Sequence, residues 1–325
     1  TGLCGLIVTI DFKKAFDSIS HDYLFNLLAK FNLPGYYIQA VRTLMQGGQS
    51  CVNNDGAITE NFPLGRSCRQ GDPLAPYLFI LAVEPLLRRL KQELAGVRGP
   101  TSRVVLSAYA DDLTLFVRSE ADLQRALDIL LEFKAISGLD INLDKSEVMP
   151  IGRQIPGQQL LGLRLVQQIT VTGIVHSYVN HDECIAANYK NFLTKAKTAL
   201  NMCNGRYISE LGRPMIIKSW SNPQLQFVST ALPPPDGITK AFAKLNYRFL
   251  WRGPDKIARS RLAKPQQEGG MNLPTPASLV IATGAMWLLR AIKRPGAQWI
   301  QFFNYDMLKL GGWLALQGEP GPSST

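Results

Sequence analysis

The fold of this chain is decided by the stretch Tyr109-Ala110-Asp111-Asp112, which has a β-type run before it, 104–109, and another after it, 113–117. A third acid, Asp11, follows the β-type run 5–10, one hundred positions before Asp111. The carboxylates are therefore expected where strands end or turn. Carboxylates that are brought together repel one another unless a divalent cation lies between them, and Mg²⁺ prefers oxygen ligands. The pattern predicts a metal site suited to two-metal phosphoryl transfer.

The Asp-Asp pair alone is also compatible with an ordinary turn, because Asp is a common turn residue. Four further segments favour the catalytic interpretation. They are 11–18, where a strand ends in an acid; 69–79, a Gly/Pro turn that enters a helix; 138–146; and 160–165. With these segments in this order the chain resembles a reverse transcriptase, whose palm motifs are usually lettered A to E.

Two downstream stretches narrow the resemblance. Residues 212–218 and 264–274 are similar to the region after the palm in non-LTR retrotransposons of the LINE-1 type. The resemblance covers the chain from Gly5 to about Ala291. It implies an α+β fold with a right-hand polymerase palm, in which an antiparallel sheet is backed by helices, followed by a mainly helical thumb.

This resemblance also implies a domain organisation. Residues 1–168 are expected to form the palm with motifs A to E, with the upstream fingers largely missing. Residues 169–254 would form a helical, basic thumb, and 255–325 a helical downstream region whose tail, poor in apolar residues, is disordered. Because relatives use the fingers for triphosphate and template, we expect the isolated segment to bind nucleic acid but to polymerise poorly without upstream sequence.

Catalytic roles follow from the matched motifs. Asp11 and Asp111 are expected to bind two Mg²⁺ ions, for which Mn²⁺ can substitute, and Asp112 is the nearby third acid of the metal site. Lys145 is the candidate general acid, since an ammonium near a polyanion can donate a proton to departing pyrophosphate. The alternative for Lys145 is an ordinary surface lysine.

The resemblance also implies nucleotide and primer contacts. The nucleotide-binding residues would be Phe12, Lys13, Lys14, Ala15, Phe16, Arg69, Gln70 and Gly71. Of these, residues 12–15 would offer backbone N–H groups to phosphate, and Phe16 would be the steric gate that rejects a 2′-hydroxyl, or else a simple core aromatic. Leu161 and Gly162 would hold the primer end as the primer grip.

Basic residues are concentrated in one quarter of the chain. Residues 186–265 carry fourteen Lys or Arg against three acids, a net +11, whereas the whole chain carries +10. Lys240, Lys244, Arg248 and Arg252 recur every four residues, with Phe242, Leu245 and Phe249 on another face of the predicted helix. Like charges at this spacing weaken an isolated helix, so the row is expected to face nucleic acid rather than to be an ordinary solvated face.

Composition bounds the remaining possibilities. With 325 residues, 46% of them hydrophobic, the chain can bury a core, and no apolar run reaches the roughly 18 residues of a membrane span. Five cysteines without a Cys-x-x-Cys pair argue against a disulfide framework and a zinc module and favour a reducing intracellular compartment. The chain opens on Thr1 without a leader pattern, which is typical of a piece of a longer product.

The expected function is that of an RNA-directed DNA polymerase fragment from a LINE-1-type retroelement, which copies an RNA template onto a DNA primer with dNTPs. A nuclear and cytoplasmic location as a ribonucleoprotein is expected, and the oligomeric state is left open. Three alternatives remain: another palm-based nucleotidyl transferase or cyclase, a group II intron maturase-type enzyme, and a non-catalytic nucleic-acid-binding remnant or domesticated retroelement protein.

Overall fold

The computed structural model describes residues 4–69, 71–152 and 155–309. The chain divides into two units, residues 1–172 and 173–325. The second unit contains the predicted thumb, 169–254, except for residues 169–172. It also contains the predicted downstream region, 255–325. The division between thumb and downstream region therefore stays a prediction. The predicted disordered tail and the predicted nucleotide contact Gln70 lie outside the described residues.

The first unit alternates strands with helices. Its strands are β1 (Gly5–Ile10), β2 (Gln49–Ser50), β3 (Asn53–Asn54), β4 (Ala57–Ile58), β5 (Phe62–Pro63), β6 (Val97–Arg98), β7 (Arg103–Val104), β8 (Leu106–Tyr109), β9 (Asp112–Val117), β10 (Glu147–Ile151), β11 (Gln159–Leu160), β12 (Leu163–Leu165) and β13 (Gln168–Val171). Its helices are α1 (Ala15–Ser18), α2 (His21–Lys30), α3 (Gly35–Met45), α4 (Ala75–Glu93) and α5 (Glu120–Ser137). The predicted α+β class is confirmed by this mixture.

The main sheet has six strands in the order β11-β12-β10-β1-β9-β8. Its two central pairings, β1 with β10 and β1 with β9, are antiparallel, as are β8 with β9 and β11 with β12. β12 runs parallel to β10, so the sheet is mixed at this edge and otherwise antiparallel as expected. The reason lies in the β11–β12 hairpin, which reverses the chain once more before it returns to the sheet.

Alternating side chains give the sheet one buried face. In β1, Leu6, Val8 and Ile10 are at most 3% exposed, while Ile7 and Thr9 between them are partly accessible. The buried face is covered by α4 and α5, which contact β8 and β9 respectively. This period of two is what a sheet with one face on a core requires. The opposite face of β1 and β9 is left to carry polar groups.

Local capping residues set several helix boundaries. The hydroxyl of Ser20 accepts a hydrogen bond from Tyr23 N–H at the start of α2, and that of Ser119 accepts one from Asp122 N–H at the start of α5. Gly138 ends α5 in the left-handed region with φ 81°. A Cβ at Gly138 would lie 2.6 Å from the carbonyl oxygen of Ser18, so both conformation and space require glycine there.

The second unit is mainly helical. After β14 (Ile174–Ser177), its helices are α6 (His181–Asn204), α7 (Gly212–Ile216), α8 (Asn222–Ala231), α9 (Ile238–Trp251), α10 (Arg259–Leu262), α11 (Pro276–Lys293) and α12 (Ile300–Lys309). A π-helical turn, Ile217–Ser221, joins α7 to α8, and a 3₁₀ turn spans Gln266–Glu268. No helix in the described part of the chain is long and apolar enough to cross a membrane.

Buried polar contacts hold α9 in this unit. Asn246 is 3% exposed; its side-chain oxygen accepts from the Ser221 hydroxyl at 2.6 Å, and its amide nitrogen donates to Asn222 at 3.1 Å. Arg213, from the 212–218 stretch, is 2% exposed and donates through its Nη1 to the carbonyl of Phe249 at 2.5 Å, near the C-terminal end of α9. The stretch 212–218 therefore anchors α9, because a donor near the last turn of a helix can satisfy a backbone carbonyl that has no partner within the helix.

Candidate active site

The three predicted acids come from two neighbouring strands. Asp11 is the first residue after β1, and Asp112 is the first residue of β9. β1 and β9 pair with Ile10 opposite Leu113, so the next position of this register sets Asp11 opposite Asp112. Because Ile10 and Leu113 face the core, the two acids point to the other face of the sheet. Asp111 precedes Asp112 in the turn.

The Ala110-Asp111 loop has a tight conformation. Tyr109 pairs with Asp112, which leaves two residues to connect β8 and β9. Ala110 adopts φ 52°, in the left-handed region that two-residue hairpins use and that alanine rarely occupies. Strained residues of this kind persist where the surrounding structure determines them, and they cluster at functional sites. Here the strain is next to the two acids.

The three carboxyl groups lie close enough to repel one another. The pKa of Asp112 is raised above its usual value, first by desolvation and then by repulsion from Asp111 and Asp11. Oxygen donors that repel one another fit a hard divalent cation, which would relieve the repulsion. Within the described residues, however, no three His, Cys, Asp or Glu side chains are already gathered as a metal-holding group. The donor chemistry therefore fits a metal, whereas the arrangement is not a ready-made three-ligand site.

A cleft of about 290 Å³ lies over this face of the sheet. Asp11, Asp112 and Lys145 line it, so the structure brings the candidate general acid to the predicted acids. Lys145 is exposed and stands in the turn before β10. Asp111, in contrast, does not line this cleft, although its charge acts on Asp112.

The cleft also contains a residue that the sequence did not single out. Glu147 is opposite Thr9 in the pairing of β1 with β10 and lines the same cleft. It forms an ion pair with Arg164 of β12. No sequence signal marks Glu147, because its place beside Asp11 depends on the register of two strands that are far apart in the chain.

The segment after Asp11 is partly engaged within the protein. The N–H of Lys13 donates to the carbonyl of Asp140 at 2.8 Å, and its ammonium lies 3.2 Å from the Asp140 carboxylate. This N–H is therefore not free for phosphate, which corrects the predicted backbone donor at Lys13. Phe12 and Ala15 turn buried side chains into the core, and Lys14 adopts φ 46° before α1. Their phosphate contacts stay predictions.

The ring of Phe16 is half-buried and has a defined support. It stacks on Phe79 of α4, which is fully buried, with ring centroids 4.4 Å apart and an angle of 21°. The carbonyl of Phe16 accepts from Cys68 N–H at 2.6 Å, which ties it to the segment carrying Arg69 and Gly71. Arg69 is exposed, and Gly71 has φ 88°. Offset stacking of this kind limits how far the Phe16 ring can move.

Leu161 and Gly162 form the two-residue loop of the β11–β12 hairpin. Both have positive φ, 51° and 82°, and Leu160 pairs with Leu163 around them. Two positive φ values are the signature of a type I′ turn, whose twist matches that of the strands. The exposed Leu161 occupies this region at a conformational cost, as Ala110 does. The primer contact of this loop stays a prediction.

In the second unit, the basic row is exposed. Lys240, Lys244 and Arg248 project from α9 to solvent, and Arg252 follows at its end with φ 55°. Arg248 and Arg252 share a cleft of about 570 Å³ with Lys197 of α6, a cation that the periodicity of one helix could not reveal. The predicted apolar stripe is confirmed, since Phe242 and Phe249 are buried and Leu245 is partly so.

Comparison with known proteins gives a family match. A family model described as "Reverse transcriptase (RNA-dependent DNA polymerase)" matches residues 2–175. The "Transposon TX1 uncharacterized 149 kDa protein" of Xenopus laevis is 27% identical over 291 residues, 84% of this chain and 21% of that protein. A Pol polyprotein from the type-2 retrotransposable element R2DM of Drosophila melanogaster is 39% identical over 139 residues, 43% of this chain and 13% of that protein. The chain thus spans about a fifth or less of either relative.

Solved structures give more distant similarities. A telomerase from Candida tropicalis in complex with a TWJ fragment of telomeric RNA has a TM-score of 0.45 and 12% identity, covering 87% of this chain and 47% of that chain. A foamy viral protease-reverse transcriptase in complex with an RNA/DNA hybrid has a TM-score of 0.35 and 15% identity, covering 75% of this chain and 27% of that chain.

Proposed function

The chain belongs to the reverse transcriptase family, and from this membership we propose that it is the palm and thumb part of an RNA-directed DNA polymerase from a LINE-1-type retroelement. Its reaction joins a dNTP to the 3′-hydroxyl of a DNA primer on an RNA template. One observation carries the proposal: Asp11, just after β1, stands opposite Asp112 at the start of β9, and Asp111 is close enough to raise the pKa of Asp112.

The carboxylates supply the metal-binding part of the mechanism. Reverse transcriptases use divalent metal ions, and we propose two Mg²⁺ ions held chiefly by Asp11 and Asp111, with Asp112 as the third acid and Mn²⁺ as a substitute. When bound, such ions lower the pKa of the primer 3′-hydroxyl and offset the charge of the triphosphate. The repulsion that raises the pKa of Asp112 supports this role, because it leaves the site in need of positive charge.

Lys145 supplies the proton for the leaving group in this proposal. It lines the same cleft as Asp11 and Asp112 and is exposed to solvent. An ammonium held there attracts pyrophosphate and can protonate it as the P–O bond breaks. The pH profile of DNA synthesis by a Lys145→Arg variant, compared with that of the wild type, tests this assignment.

Phe16 acts as the steric gate in this scheme. The stack on Phe79 supports the role, because a gate must hold its place when a 2′-hydroxyl presses on it. Arg69 and Gly71 are proposed to contact the template base and incoming nucleotide, and Leu161 with Gly162 to hold the primer end. The assignments of Arg69, Gly71, Leu161 and Gly162 rest on the family motifs.

The basic row of α9 is the proposed nucleic-acid surface of the second unit. Lys240, Lys244, Arg248 and Arg252 are exposed, and Lys197 extends the positive surface onto α6. Neutralising several phosphates in this way gives affinity without sequence preference and with a strong dependence on salt. The proposed partners are an RNA template and a DNA primer. The protein is proposed to form a ribonucleoprotein with the RNA in the cytoplasm and nucleus.

A primer-extension assay tests the function. The chain and the longer gene product that contains it are given an RNA template, a DNA primer, dNTPs and Mg²⁺, each beside its Asp111→Asn variant. The longer product is expected to show synthesis that depends on template and dNTP and that the substitution abolishes, whereas the isolated chain is expected to synthesise poorly. If neither form of either protein synthesises DNA while template-primer binding is unchanged by Asp111→Asn, the chain is a nucleic-acid-binding remnant and the polymerase proposal is wrong.

A further inference from the structure

A buried hydroxyl connects two parts of the candidate active site. The side chain of Ser146 is 0% exposed, and its Oγ accepts a hydrogen bond from the backbone N–H of Asp11 at 3.1 Å. The same Oγ donates to the carbonyl of Asn142 at 2.7 Å. Ser146 therefore uses both its donor and one acceptor position, and joins the acid at the end of β1 to the turn before β10.

The same turn holds the other backbone group of Asp11. The N–H of Asn142 donates to the carbonyl of Asp11 at 2.7 Å, and Phe12 pairs with Ile141 just beyond it. The N–H and C=O of Asp11 are thus both bonded to the segment Asn142–Ser146. Two bonds of this kind restrict the backbone from which the Asp11 carboxylate projects.

Lys145 belongs to this closed arrangement. The N–H groups of Lys145 and Ser146 both donate to the carbonyl of Asn142, at 3.3 and 2.9 Å, which makes a compact turn. Lys145 projects from that turn into the cleft lined by Asp11. The position of the lysine relative to the acid is consequently set through the backbone of the turn and through the hydroxyl of Ser146.

We propose that Ser146 is a positioning residue, which holds the backbone of Asp11 and the Lys145 turn at a defined separation. The proposal rests on the proposed function, since it concerns the metal-binding role of Asp11 and the proton-donating role of Lys145. Loss of the hydroxyl leaves the part-buried N–H of Asp11 without its partner and frees the carboxylate to move. Groups that orient a metal ligand typically change metal affinity or activity by roughly 10- to 100-fold when removed.

The chain offers a matched control for this test. Ser137 is also 0% exposed; its hydroxyl donates to the carbonyl of Phe133 at 2.7 Å and accepts from the N–H of Leu139 at 3.1 Å. Ser137→Ala therefore removes the same kinds of bond as Ser146→Ala, at a place where neither bond reaches Asp11. A Ser146→Thr variant keeps the hydroxyl, and thermal unfolding of all three variants reports whether each is folded.

Two readouts apply. Mn²⁺ is titrated into the chain itself and followed by electron paramagnetic resonance, and the longer gene product is assayed for kcat and KM in primer extension. We expect Ser146→Ala to weaken Mn²⁺ binding and to lower kcat by about 10-fold or more, with little change in KM for dNTP. Ser137→Ala is expected to leave both near wild type, and Ser146→Thr to recover most of the loss.

The outcomes separate this inference from the function on which it rests. Equal Mn²⁺ affinities for Ser146→Ala and Ser137→Ala overturn the positioning role, and they leave the polymerase proposal standing if Asp111→Asn still abolishes synthesis. If the wild-type gene product makes no DNA, the polymerase proposal fails, while the Mn²⁺ affinities of the two alanine variants still decide whether Ser146 positions Asp11.

Discussion

Replacing Asp112 with Asn is expected to stabilise the first unit while it removes activity. The pKa of Asp112 is raised by desolvation and by repulsion from Asp111 and Asp11, so its charged form is disfavoured in the folded state. The asparagine side chain keeps nearly the same shape and carries no charge. In the absence of divalent cations the variant should therefore unfold less readily than the wild type at neutral pH.

The size of the gain follows from the strand register. Residues that face each other across an antiparallel pair have Cβ atoms roughly 5 Å apart, and two like charges at that distance repel by about 0.8 kcal/mol in water and about 3 kcal/mol near a protein surface. Asp112 is exposed to solvent, so screening favours the lower figure. We expect a gain of about 1 kcal/mol, or about 2–4 °C in Tm for a unit of this size.

The dependence on pH gives the sign of the effect. Protonation of an acid whose pKa is raised on folding stabilises the folded state. This stabilisation is complete below the pKa of the acid in the unfolded chain, about 4, and is lost as pH rises through its pKa in the folded protein. The difference between Asp112→Asn and wild type should thus be small in acid and grow toward neutral pH. Mg²⁺ should stabilise the wild type and narrow the difference, because the cation binds the folded state.

Urea unfolding in EDTA from pH 4 to 8, repeated with Mg²⁺, measures this. Glu60→Gln serves as the control, since Glu60 is an exposed acid of the same unit outside the acidic cluster. A variant that is no more stable than wild type at pH 7 in EDTA, or a gain equally large at pH 4, would refute the electrostatic account of the site.

Three further outcomes follow from the structure. Phe16→Val should raise the incorporation of ribonucleotides relative to deoxynucleotides, measured by primer extension with each set of substrates, because it removes the ring supported by Phe79. Changing Lys244 and Arg248 together to Gln should weaken binding to an RNA–DNA duplex for all sequences and reduce the slope of log affinity against log salt by about 2, measured by fluorescence anisotropy. Gly138→Ala should lower the free energy of unfolding by about 1–3 kcal/mol, measured by urea denaturation, because φ is positive and the Cβ would meet the Ser18 carbonyl.

The chain offers controls for the last two experiments. Lys256→Gln changes a cation that is already paired with Glu210 and should leave the salt slope nearly unchanged. Gly35→Ala, at the start of α3, introduces a Cβ with no atom within 4 Å and should be close to neutral. Equal slopes for the double variant and Lys256→Gln would argue against the α9 surface, and equal stabilities for the two glycine variants would argue against the steric account of Gly138.

Much of the first unit was predictable because its signals are local. Ser20, Ser119 and Gly138 stand at helix ends, and residues of these types are readable there from the sequence, since capping depends on residues within one turn. The acids at the ends of β-type runs were likewise visible, as was the four-residue spacing of the α9 cations. The parallel pairing of β12 with β10 could not be predicted, because the pattern of a short strand does not determine which strand it pairs with or in which direction.

The sequence by itself determined the residue types that the chemistry needs and the periodicity of the elements that carry them, because both depend only on residues close together in the chain. Only the tertiary structure decided that Asp11 faces Asp112, that Glu147 joins their cleft, and that the Ser146 hydroxyl holds Asp11 across 135 positions of chain. Such contacts depend on strand register and on the burial of one sheet face, which the whole unit settles together and no short segment contains.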